Sequence, residues 1–272
     1  MRSLARPALD LVRCPNSVAA ICLLAALALQ VGGCASQSAP VTISGSELLE
    51  RSPVLAIDVE NERGAVLVTV NPNVKTPRVT ANAGTLRGEP VANFQGDKWA
   101  SSDIQEMDGR AVLKVRSVPE EGAQHWVQIT IDVPSCDGLR IKNSDGAIEV
   151  RGANGAISIE NGGAGKPGGR VYVDAGKPNT SPISITTATG NIDLELPTDS
   201  TGDVELISGN RALAAMVAWT GQVTNSSIRP GLYTGILNWG TNPIRLKATQ
   251  GEVRLQVGPF RFGNPQKRYY YQ

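Results

Sequence analysis

A five-residue phrase, glycine and then two aliphatic residues separated by a polar one, recurs along this chain and limits what it can fold into. Gly146-Ala147-Ile148-Glu149-Val150 and Gly155-Ala156-Ile157-Ser158-Ile159 stand nine residues apart, and the phrase returns at Gly190, Gly202 and Gly251 and, with Leu67 in the polar place, at Gly64. In an extended chain successive side chains point to opposite faces, so Ile148 and Val150 share one face while Glu149 and Arg151 share the other. Each phrase is therefore a tight turn followed by a short half-buried strand, with glycine supplying the positive φ of the turn. A degenerate repeat of this kind predicts an all-β fold, a β-solenoid or β-helix-like stack of short strands in which each strand is stable only because its neighbours cover its inner face.

Ile148, Val150, Ile157, Ile159, Val171, Val173, Ile192, Leu194, Val204, Leu206, Val253 and Leu255 are the expected inward column. Glu149, Arg151, Glu160, Arg170, Asp193, Glu195, Glu205, Arg245, Lys247 and Arg254 are expected to face solvent. From Val54 to Pro134 the chain alternates without the strict phrase, which predicts a more sandwich-like first half with strands near 54–59, 65–70, 78–81, 111–115 and 126–133. The polar stretch 95–109 reads as a loop, 44–50 as one helical turn, and 211–219 as a helix or an irregular strand.

The amino terminus places the molecule. Arg2, Arg6 and Arg13 precede an apolar run from Val18 to Leu29 that is too short for a membrane span and suits a signal-peptide core. Val31-Gly32-Gly33-Cys34 follows, and it resembles the lipobox of bacterial lipoproteins. That resemblance implies cleavage between Gly33 and Cys34 and lipid on Cys34; Ala35 behind it favours the outer membrane. The expected organisation is a signal peptide over 1–33, a linker over 34–53, a β-solenoid domain over 54–258, and an aromatic and basic tail over 259–272. Losing the leader removes Cys14 and Cys22, so Cys136 is left as the free thiol and no internal disulfide can form. The remaining length of about 240 residues can bury a substantial core.

Ile131-Asp132-Val133-Pro134, then Leu139-Arg140-Ile141-Lys142, Asn143-Ser144-Asp145-Gly146-Ala147-Ile148 and Ile192-Asp193-Leu194-Glu195-Leu196-Pro197, in that order, resemble the bacterial adhesin-like domains related to the head-GIN family. The resemblance covers about 54–257 and implies a β-solenoid with a non-enzymatic surface. The Gly/Pro-rich insert 162–182 and the segment 211–242 depart from the pattern.

A single histidine, His125, excludes His-based triads and multi-histidine metal sites, so no cofactor or metal is expected. A net charge of +1 without a basic block excludes nucleic acid as the natural partner. The expected partners are the membrane through the lipid, and an envelope polysaccharide or surface protein. Asp193 with Glu195, and Asp203 with Glu205, are acid pairs on one strand face each. They keep open an alternative, a carbohydrate-active β-helix enzyme. The tail, with Arg261, Lys267, Arg268 and the run Tyr269-Tyr270-Tyr271, suits anionic headgroups or glycan rings, or it is one more edge segment.

Overall fold

The structure is a computed structural model that describes residues 37–51, 54–85, 91, 94–117, 125–163, 165–209, 212–218 and 222–258. Cys34, the signal peptide and the tail lie outside the described residues.

The chain is all-β. Its unit is a strand in one sheet, a short glycine turn, and a strand in the facing sheet. β3 (Leu55–Asn61) leads to β4 (Val66–Val70), β7 (Arg110–Ser117) to β8 (His125–Val133), and β9 (Asp137–Asn143) to the first half of β10 (Ile148–Asn161). The second half of β10 leads to β11 (Val171–Ala175), and β12 (Ile183–Thr189) to β13 (Ile192–Leu196). Near the end, β14 (Gly202–Ser208) leads to β15 (Ala214–Val217), and β18 (Pro243–Gln250) to β19 (Val253–Val257). The second strands of these units form sheet I, in the order β8, β4, β10, β11, β13, β19, β15, all parallel. The first strands form sheet II, in the order β7, β3, β9, β10, β12, β18, β14, also parallel.

Chain order and spatial order differ at both ends. The unit β3–β4 lies between β7–β8 and β9–β10, although β7–β8 follows it in sequence. The unit β18–β19 lies between β12–β13 and β14–β15, although it comes last. Antiparallel strands close the two ends. β5 (Arg78–Thr85) pairs with β8 and carries β1 (Gln37–Val41) outside it, while β6 (Ala100–Met107) pairs with β7 and carries β2 (Ile43–Ser44). At the far end β17 (Leu232–Leu237) pairs with β14, and β16 (Val223–Arg229) is its outer neighbour.

Parallel register stacks identical positions into columns. Ile57, Leu139, Ile157, Ile183, Ile244 and Val204 form one in sheet II, and all are buried. Each such side chain contributes about 1.5–3 kcal/mol by leaving water. All twelve inward positions expected from the sequence are buried.

Several expectations change. Within the expected linker 34–53 the described residues 37–51 form β1, β2 and a one-turn helix, Leu48–Arg51, and β1 pairs with β5, so these residues belong to the fold. The loop at 95–109 is a helical turn, Gly96–Trp99, and then β6, whose alternation a charged outer face obscured. Within 211–219 the described residues form β15, the strand alternative. The phrases at Gly146 and Gly155, nine residues apart and read from the repeat as turns stacked in adjacent rungs, lie half a coil apart instead, the first in sheet I and the second in sheet II, because β10 bends from one sheet into the other at Gly152. Gly64, Gly146, Gly155, Gly190 and Gly251 have positive φ as turn residues should, but Gly202 does not. It opens β14, where a Cβ would strike the Ile244 side chain.

Candidate binding surface

Two corners join the sheets, and they differ. At the first, the turn glycines lie on one another. A Cβ on Gly146 would collide with the carbonyl oxygen of Gly64, one on Gly169 would lie 2.5 Å from the oxygen of Gly146, and one on Gly251 would collide with that of Gly190. Beneath them runs a column that the glycine phrase does not reveal: Asn61, Asn143 and Asn161 are buried at 3, 3 and 1% exposure. Asn61 Nδ2 donates to Asn143 Oδ1 (3.0 Å), and Asn143 Nδ2 donates to Asn161 Oδ1 (3.1 Å). Their amides also reach turn carbonyls, Asn61 to Gly64 and Asn161 to Gly146 and Gly169. Thr187 and Ser208 continue the column by donating to the oxygens of Gly169 and Gly251. The signal was present as asparagine three residues before glycine, at Asn61/Gly64 and Asn143/Gly146.

The second corner is made of connections of unequal length. Asn179 Nδ2 donates to the oxygen of Gly155 (2.7 Å), and its backbone N–H to Ser200 Oγ (3.0 Å). Asn242 Nδ2 donates to the carbonyl oxygens of Ser181 (3.1 Å) and Thr201 (2.8 Å). Asn238 Nδ2 donates to those of Thr198 (2.9 Å) and Ser200 (2.8 Å). These amides tie three loops together. On top of them stands Trp239, 80% exposed. Asn238 and Trp239 have φ of 46° and 57°, and Gly240 N–H closes the turn onto Leu237 O at 2.9 Å. Positive φ is uncommon for a non-glycine residue and costly for a bulky one. The pinned loop thus holds a large aromatic ring in water in a strained conformation. Ile228 on β16 is 75% exposed, and Val217 and Leu213 at the same end are 47 and 41% exposed.

The residues weighed for chemistry do not come together. His125 opens β8 and meets Trp99 edge-on at 4.9 Å. The Cys136 thiol is buried, and burial pushes it up to about 12, the reverse of what a nucleophile needs. Asp193 and Glu195 lie on sheet I while Asp203 and Glu205 lie on sheet II, so the two acid pairs do not converge on one cleft. Among the described residues no group of three His, Cys, Asp or Glu side chains could hold a metal ion.

On sheet II the outer charges neutralise one another across strands. Arg140 Nη1 lies 2.5 Å from Asp58 Oδ1 and 3.1 Å from Glu60 Oε1. Arg116 contacts the same two carboxylates at 2.8 and 3.1 Å, and Arg245 reaches Asp203 (2.5 Å) and Glu205 (3.3 Å). Burial alone would raise the Asp58 carboxyl, but the hydrogen bonds and charges of Arg116 and Arg140 outweigh it and hold it below its ordinary value.

No family model matches the chain, and no curated protein matches it. Among solved structures it is similar to a candidate cell adhesion protein from Clostridium sporogenes, with 10% identity and a TM-score of 0.49 over 82% of this chain and 99% of that one. It is also similar to a candidate adhesin from Bacteroides fragilis, with 9% identity and a TM-score of 0.28 over 82% of this chain and 95% of that one. Likenesses this remote leave the function to be argued from the residues.

Proposed function

We propose that this is a non-enzymatic, lipid-anchored protein of the bacterial cell envelope, held to the outer membrane through Cys34, whose stacked sheets present a binding surface at the end that carries Trp239. The observation that carries the reading is the exposure of that ring on a strained, rigidly tied loop, since strain retained at the surface marks a place where structure serves something other than stability. An exposed indole face suits stacking on sugar rings or packing against a protein. Sheet I places β15 eight strand spacings from β1, roughly 40 Å away. The end of the stack that carries Trp239 therefore stands well away from the end that carries β1.

The test incubates the acyl-free mature chain with envelope polysaccharides and peptidoglycan and follows both retention and products. Retention without cleavage, lost in Trp239→Ala, is the expected result. New reducing ends or unsaturated sugars, lost in Asp193→Asn or Asp203→Asn, would replace it with an enzymatic role. Cys34→Ser should abolish fatty-acid labelling and release the chain from the membrane fraction; unchanged labelling would end the anchoring part.

A further inference from the structure

Several outward acids of the two sheets are held by neighbours. Asp193, 4% exposed, accepts from Arg170 Nε (3.1 Å) and Nη2 (2.9 Å), and Glu195, 5% exposed, accepts from the Tyr172 hydroxyl. Asp58, Asp203 and Glu205 lie against arginines. Asp199 differs: it is exposed, and among the described residues no cation or donor holds its carboxylate. It stands at the centre of a turn in which Ser200 N–H donates to Pro197 O (3.0 Å). Asn238 Nδ2 donates to the carbonyl oxygens of Thr198 and Ser200, one on each side of Asp199, and Gln222 Nε2 donates to that of Thr198 as well (2.9 Å). The turn that carries Asp199 is thereby fastened to the turn that carries Trp239. This second turn, from Leu237 to Gly240, has the paired positive φ of a type I′ turn, for which Asn-Gly is the favoured central pair. Here tryptophan stands in the place of the glycine.

Two abutting turns thus present an indole ring and an unpaired carboxylate to solvent, with the exposed Thr198 and Thr241 close by in the chain. This is the chemistry of a sugar subsite. The indole face packs on the C–H face of a pyranose, and the carboxylate accepts from neighbouring sugar hydroxyls in charge-assisted hydrogen bonds, which are stronger than neutral ones. Charge narrows the class. Within 197–201 and 238–243 Asp199 is the one charged residue, so an acidic sugar would meet a like charge with no cation in these turns to offset it. A protein partner would call for a broader apolar patch, whereas Trp239 stands here among threonine, serine, asparagine and proline with no second large apolar side chain in either segment. We infer that Trp239 and Asp199 form a subsite for an uncharged sugar unit of a polysaccharide, the ring as platform and the carboxylate as hydroxyl acceptor. This rests on the binding reading above and adds to it the class of ligand and a second contact residue.

The experiment titrates the whole mature chain, without its lipid, by calorimetry with cellohexaose, maltohexaose and chitotetraose, which are uncharged, and with hexagalacturonate, which is acidic. At least one uncharged oligosaccharide should bind saturably and several-fold more tightly than hexagalacturonate. Trp239→Ala and Asp199→Ala should each weaken that binding about tenfold or more at an unchanged melting temperature, since both side chains are exposed, while Trp239→Tyr should keep most of it. If Trp239→Ala fails to fold, Asp199→Ala and Trp239→Tyr give the same readout. No binding of any uncharged oligosaccharide, equal binding of hexagalacturonate, or binding indifferent to Asp199 would overturn the inference. The retention assay above separates its failure from that of the binding reading. Envelope material held through Trp239 that neither Asp199→Ala nor competing oligosaccharide releases would leave the binding end standing and assign it to a protein partner; retention indifferent to Trp239 would overturn both.

Discussion

The two corners of the stack do opposite work. At the glycine corner each turn is short, its backbone lies against the next turn, and buried asparagines fasten adjacent coils through their amides. At the opposite corner the connections differ in length, hold together by amide-to-carbonyl bonds particular to each loop, and carry Trp239. Repetition at one corner fixes register, which leaves the other free to vary; this is how a scaffold separates what must be identical from what can be specific.

Substitutions can break that comparison. The largest effect should come from Gly146→Val, which places a β-branched residue at φ of 120° and drives its Cβ into the Gly64 carbonyl. A loss of about 3 kcal/mol or more in urea unfolding is expected, and a loss below 1 would show that the corner is not close-packed. Asn143→Ala comes next, at about 1–3 kcal/mol, because it leaves the Asn61 amide and the Asn161 oxygen without their shared partner. A cost no greater than that of an exposed asparagine would remove the ladder from the account.

Smaller effects probe the faces and the second corner. Asp58 has a folded pKa below its unfolded value, so its contribution is fully present above the unfolded value of 3.8 and is lost as pH falls through the folded one. Wild type should therefore lose stability below pH 3.8 more steeply than Asp58→Asn, and parallel acid-unfolding curves would contradict the pairing with Arg116 and Arg140. Trp239→Gly should leave stability unchanged or raise it by up to about 1 kcal/mol by relieving the positive φ. A marked loss would mean that the ring packs on the fold. Glu149→Gln should change stability by under about 0.5 kcal/mol, and a larger effect would show that this carboxylate is held as tightly as Asp193.

Much of the local structure was legible. Alternation about Ile148 and Val150, Ile157 and Ile159, or Val253 and Leu255 identifies inner and outer faces because side-chain direction in a strand follows from covalent geometry alone. Turn glycines are readable for the same reason, since positive φ is a property of one residue. The polar column was harder to see. Asn61, Asn143 and Asn161 look like ordinary turn residues, and only stacking shows that their amides meet. Trp239 looked like an irregularity in 211–242, and the buried Asp193 and Glu195 were placed by alternation among solvated charges; neither exposure nor burial of an outward side chain is encoded in a period of two.

By itself, the sequence determined the strands, their inward faces and the turns that end them, because these depend on backbone sterics and on the free energy of covering aliphatic side chains. Only the tertiary structure decided which strand lies beside which. The columns are so alike that Ile183 packs against Ile244 as readily as it would against Val204, and local pattern does not distinguish these neighbours. The slot that β14 leaves empty beside β12, and that β18 fills from the end of the chain, is chosen by the lengths of the connections, the hairpin of β16 and β17, and the joint hydrogen bonding of loops distant in sequence.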